Sequence, residues 1–171
     1  MTVTTRWKSI AIWSLALWSL LLAAPLAQAA NKGKVKVVKD LTGLGIMFAG
    51  TLVDDKSGQE IPFFQAFVDE LGIRVGSEVH FETVVPDGQK AAVAVLLKPK
   101  NGPPAQKGRG IIKFILWDTD SGILVDRKTG EEIVFFQPFL GELGLDEGVE
   151  VDFYKVQEGK KGLNAVNVKK A

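Results

Sequence analysis

The chain contains one segment twice. Residues 50–81 align with residues 122–153 at a constant offset of 72, and 19 of the 32 aligned pairs are identical. Gly50-Thr51-Leu52-Val53 is answered by Gly122-Ile123-Leu124-Val125, and Glu60-Ile61-Pro62-Phe63-Phe64-Gln65 by Glu132-Ile133-Val134-Phe135-Phe136-Gln137. A repeat of this length within 171 residues predicts two copies of one small domain rather than one large fold. A domain of about 65 residues has little interior, so each copy must build its core economically.

The residues ahead of the first copy follow a different logic. Arg6 and Lys8 lead into an apolar run from Ile10 to Ala24 that ends near Ala27-Gln28-Ala29. A charged flank, a short apolar stretch and small residues at the end are the signature of a secretory signal peptide over residues 1–29. The run is shorter than the roughly 18 apolar residues of a membrane-spanning helix, so a membrane is a partner only if this leader is retained. With no cysteine in the chain, disulfides are excluded, and the expected destination is a periplasm.

Within each copy the apolar period is two. Val151 and Phe153 alternate with Asp152 and Tyr154, and Val79 and Phe81 flank His80, the pattern of half-buried strands. Further strands are expected at Val35–Val38, Gly50–Val53, Glu60–Phe64 and Val93–Leu97, with counterparts at Ile111–Leu116, Ile123–Val125, Glu132–Phe136 and Ala165–Val168. Asp54 to Gly58 and Asp126 to Gly130 are short loops whose glycine suits a positive φ, so each should close a hairpin. Phe67–Leu71 before Gly72, and Phe139–Leu143 before Gly144, read as single helical turns stopped by glycine. Five short strands and one helical turn describe an all-β fold, a five-stranded Greek-key barrel of the OB type, present twice in tandem. The expected boundaries are 33–97 for the first barrel, 98–109 for a linker and 110–171 for the second barrel.

Charge narrows the function. Without residues 1–29 the chain has 19 basic and 20 acidic residues, a formal net charge of −1, which argues against a protein that holds nucleic acid mainly by neutralising phosphates. The local exception is the stretch 98–110, where Lys98, Lys100, Lys107 and Arg109 occur among Pro99, Pro103, Pro104, Gly102 and Gly108 with no acidic residue. This composition predicts a solvated basic linker.

From Gly110 to Val168 the second copy resembles a cold-shock domain. Gly110-Ile111-Ile112-Lys113-Phe114 is similar to the first strand of that family, and the ending Leu145-Asp146-Glu147-Gly148-Val149-Glu150-Val151-Asp152-Phe153, then Lys161-Gly162-Leu163-Asn164-Ala165-Val166-Asn167-Val168, follows the family closely. The first copy carries a fainter version in Gly33-Lys34-Val35-Lys36 and Gly76-Ser77-Glu78-Val79-His80-Phe81. The resemblance implies single-strand binding by bases stacked on exposed aromatics of neighbouring strands. Here the family's first aromatic motif is replaced by Thr119-Asp120-Ser121-Gly122-Ile123-Leu124, and Ala49 and Thr51 fill its aromatic places in the first copy. In the second motif the outward positions are Val134, Phe136 and Gln137, or Pro62, Phe64 and Gln65. The stacking set that the resemblance leaves is Phe114, Trp117 and Phe136 with Phe64 in the first copy. Lys113, Lys98, Lys100, Lys107 and Arg109 are its candidate phosphate contacts. A stacked base is worth about 1 to 3 kcal/mol, so three lost aromatics imply weak binding. Phe63 and Phe135, by alternation, belong to the core.

Catalysis has no foothold. His80 is the sole histidine, no cluster has metal-ligand spacing, and no cofactor or metal is implied. Glu60, Glu132, Asp54 and Asp126 recur beside turns, where acidic residues serve turn chemistry. Two non-enzymatic readings stay open. One is a single-stranded nucleic-acid binder. The other is an envelope protein that uses the barrels to hold a protein, peptide or glycan, in which Gln65, Gln137, Phe67 and Phe139 line a contact between the barrels or with that partner.

Overall fold

The computed structural model of the protein describes residues 30–157 and 162–171. The expected leader, 1–29, lies outside the described residues, as do residues 158–161. The first copy comprises β1 (Asn31–Asp40), β2 (Met47–Asp54), β3 (Glu60–Ala66), β4 (Glu78–Val84) and β5 (Val93–Pro99). The second comprises β6 (Gln106–Leu116), a 3₁₀ turn η1 (Trp117–Thr119), β7 (Ser121–Asp126), β8 (Glu132–Phe136), β9 (Glu150–Gln157) and β10 (Leu163–Lys170).

Each copy closes into a five-stranded barrel, in the order β1-β2-β3-β5-β4 and, in the second, β6-β7-β8-β10-β9. Three consecutive antiparallel strands are followed by a parallel contact, β3 with β5 and β8 with β10. The last two strands then close antiparallel onto the first. The alternating residues point inward as expected: Leu52, Phe63 and Phe81 are buried in one barrel, and Leu124, Phe135 and Phe153 in the other. The repeated Gly50 and Gly122 make room for this core. A Cβ on Gly122 would lie 2.3 Å from the Phe114 carbonyl oxygen and 2.6 Å from the Phe135 ring, and on Gly50 it would meet Val37 and Phe63 as closely. The hairpin glycines Gly58 and Gly130 hold φ of 69° and 72°.

The strands extend further than periodicity indicated. β5 continues through Lys98 to Pro99, and β6 begins at Gln106, four residues ahead of the expected second barrel. Lys98, Lys107 and Arg109 are therefore strand residues, and the connection is only 100–105. The β6 residues 106–111 pair with β9, which gives their backbone amides ladder partners and overrides the loop-like composition of the stretch.

The two barrels meet in a packed seam. Tyr154, Val156 and Val166 of the second barrel join the buried cluster of the first, with Phe136 packed against it. Phe64 meets Phe139 edge to face at 5.8 Å, and Phe67 meets Phe136 in the same way at 5.7 Å. At the 72-residue offset Phe64 corresponds to Phe136 and Phe67 to Phe139, so each pair is the image of the other. This is the signature of a two-fold, self-complementary interface within one chain.

Candidate nucleic-acid interface

In β6 the pairing with β7 shifts register between Ile112 and Phe114. Such a bulge lets two successive side chains face the same way, and Lys113 and Phe114 are both exposed between the buried Ile112 and Ile115. Beyond Phe114 the strand passes Leu116 into η1, where Asp120, at φ 48°, reverses the chain and leaves Trp117 outward. The register then sets Phe114 beside Ile123 and Ile123 beside Val134. One row across β6, β7 and β8 thus reads Phe114, Ile123, Val134. Phe114, Leu116, Trp117 and Val134 are 45%, 50%, 53% and 43% exposed, an uncommon set of large apolar side chains on a small barrel.

Other candidate residues are placed elsewhere. Phe64 and Phe136 are half-buried in the seam, each with its ring against an aromatic of the other barrel. They do not extend the exposed row, because packing against a second apolar surface outweighs leaving a phenyl ring in water. Gln65 and Gln137, expected at the surface, are only 2% exposed, and Tyr154, expected outward, lies buried in the seam. The alternative role for these glutamines, a contact between the barrels, is the arrangement observed for Gln65. Its Nε2 donates to Asn167 Oδ1 at 2.7 Å, and Asn167 Nδ2 donates to the Leu97 carbonyl at 2.8 Å.

Lys113 is paired with Glu132, as Lys36 is with Glu60 in the first barrel. Lys100 is held by Glu78 at 2.6 Å, which raises the lysine pKa and lowers that of the carboxyl. Arg109 grips Asp152 through Nε and Nη2 at 2.8 and 3.3 Å, and this hydrogen bonding holds the Asp152 carboxyl below its ordinary range. These cations are compensated. Lys98 is different, since it lies 5.5 Å over the Tyr154 ring, and burial, followed by repulsion from Lys169, pushes its pKa down.

The matching row of the first barrel is Val37, Thr51 and Pro62, with no aromatic side chain. Among the described residues, the exposed rings Phe114 and Trp117 both belong to the second barrel. Leu116 was missed in the sequence because it falls after a bulge, where strict alternation no longer tells inward from outward. The strand order gives the fold its type: both halves are closed five-stranded barrels of the OB kind.

No family model and no curated protein matches the chain. Among solved structures it is similar to one titled drosophila Unr CSD456, with a TM-score of 0.41 and 17% identity over 83% of this chain and 61% of that one. The chain therefore spans less than two thirds of that structure.

Proposed function

We propose that the protein is an exported, non-enzymatic binding protein that holds single-stranded nucleic acid weakly on the outer face of β6, β7 and β8. The observation that supports this most is the row Phe114–Ile123–Val134 with Trp117 at its end, two rings and two aliphatic side chains facing outward together. Exposed rings on the face of a small barrel are platforms for bases. With two rings and a charge-compensated lysine, the affinity expected is roughly micromolar at low salt.

The chain freed of residues 1–29 has Trp117 as its one tryptophan. Oligothymidine is expected to quench its fluorescence saturably and to retard the protein in a mobility-shift assay, with both effects weakened about tenfold by Phe114→Ala. A second reading, that the same face holds an extended apolar segment of an envelope protein, is favoured by the aliphatic Leu116, Ile123 and Val134. Unchanged fluorescence with oligothymidine at high micromolar concentration would leave that second reading in place of the first. Fractionation of cells, with the mature amino terminus located by mass spectrometry, tests export, and an intact residue 1–29 segment in the cytoplasm would contradict it.

A further inference from the structure

The two-fold correspondence of the seam breaks where Tyr154 takes the place that Glu82 has in the first copy, and a basic pocket lies at the break. Lys98 and Lys169 are counterparts in the two copies, since both follow the same step in their final strands at an offset of 71. Each reaches across the seam to the same place on the opposite barrel, where the counterparts are Glu82 and Tyr154. Lys169 finds Glu82 at 3.6 Å. Lys98 finds the Tyr154 ring instead, and no carboxylate lies within ion-pair distance of it among the described residues.

Lys98, Lys107, Arg109 and Lys169 converge on a cavity of about 400 Å³ that is also lined by Asp152 and Tyr154. Arg109 occupies Asp152, and Lys169 is drawn to Glu82. Four cations thus meet two carboxylates, and two positive charges have no ion-pair partner among the described residues. One of them, on Lys98, is half-buried, where repulsion is less screened than on an open surface. Two unmatched cations beside a compensated Arg–Asp pair make a place for one doubly negative group.

We propose that this seam pocket binds a phosphate group, with Lys98 and Lys107 as its principal ligands. The site is distinct from the stacking face. Arg109 and Phe114 are five residues apart on β6, roughly 16 Å along the strand, and β6 pairs with β9 at one end and β7 at the other. The lowered pKa of Lys98 is consistent with a cation that waits for a counter-charge.

Equilibrium dialysis of the chain with radiolabelled inorganic phosphate at low ionic strength tests the proposal. Saturable binding of about one phosphate per chain is expected, weakened about tenfold or more by Lys98→Met. Lys100→Met, which removes a lysine paired with Glu78 outside the pocket, should leave it unchanged. Tyr154→Glu supplies the missing carboxylate and should also abolish binding. Should that variant fail to fold, Lys98→Met, which trades a half-buried charge for a methionine of similar length, still decides the matter. Uptake that does not saturate, or equal affinity in Lys98→Met and the parent, would overturn the proposal. Competition by oligothymidine identifies the phosphate as that of a nucleic-acid backbone, and its absence identifies a small phosphate compound; the pocket stands in both cases. Phe114→Ala should leave phosphate binding intact, so failure of the stacking face and failure of this pocket are separable.

Discussion

Gln65 and Gln137 show how a single repeated residue follows from backbone geometry. In β5 the register against β4 slips between its partners His80 and Glu82, and in β10 it slips between Val166 and Lys169. The amides of Leu97 and Val168 in those irregular stretches bond instead to Gln65 Oε1 at 2.8 Å and Gln137 Oε1 at 2.9 Å. A buried amide without an acceptor is costly, so the Phe-Phe-Gln segment repeats for structural reasons. Gln137→Leu is expected to lower stability by roughly 2 kcal/mol in urea denaturation. Gln65→Leu should lose more, because its Nε2 also holds Asn167 across the seam. Asp126 gives a pH dependence. Burial raises its pKa, but the Lys155 ammonium at 2.6 Å and the amides of Lys128 and Thr129 outweigh burial and hold it below the ordinary value. A carboxyl whose folded pKa is depressed stabilises the fold above its unfolded pKa of about 3.9 and loses that contribution as pH falls through the folded value. The urea midpoint should therefore drop as pH falls below about 4. Lys155→Met should reduce that slope and destabilise by roughly 2 to 3 kcal/mol at neutral pH, because Asp126 stays buried with its backbone amides alone.

At the scale of elements, period-two alternation and the hairpin glycines were enough to locate the ten strands of the described residues, and the 72-residue repeat carried their division into two barrels. The seam was not legible in the same way. Phe67, Phe139, Leu96 and Asn167 are four of the five non-glycine residues with positive φ among the described residues, at 52°, 64°, 54° and 51°. They form two matched pairs at the seam or its bulges. No propensity places a phenylalanine or a leucine in the left-handed region, where it costs about 1 to 2 kcal/mol. Tertiary packing offsets this, because Phe67 is buried in the first core and Leu96 lies in a cluster with Phe64, Phe139 and Leu143. Alternation alone would have turned Phe114 inward past Ile112, because of the bulge in β6; the resemblance to the cold-shock first strand is what placed it outward. The 72-residue offset did hold one signal for the basic pocket. Tyr154 stands where the first copy has Glu82, and that mismatch is readable once the final strands are aligned. Gly122→Ala tests the packing of β7 over the core. Its Cβ would press on backbone and on the Phe135 ring, and a loss of about 3 kcal/mol is expected, visible as selective unfolding of the second barrel in backbone amide spectra.

Viewed whole, the molecule is two barrels that use the same surface against each other and leave one barrel's outer face open. A self-complementary contact between duplicated domains is what a two-fold homodimer of a single domain would use. Residues 106–171 alone would uncover Phe136, Phe139, Tyr154, Val156 and Val166. That fragment is expected to associate into dimers as its concentration rises, measured by sedimentation velocity; a monomer throughout would contradict the two-fold account of the seam. The same arrangement divides the aromatics of the chain into those that join barrels and those that remain open to a ligand. Backbone and indole chemical-shift mapping of the chain during titration with oligothymidine tests that division most directly. Shifts confined to Phe114, Trp117, Ile123, Val134 and their strand neighbours, with Phe64 and Phe136 unmoved, are the result predicted. Shifts centred on Phe64 and Phe136, or none at saturating oligothymidine, would contradict it.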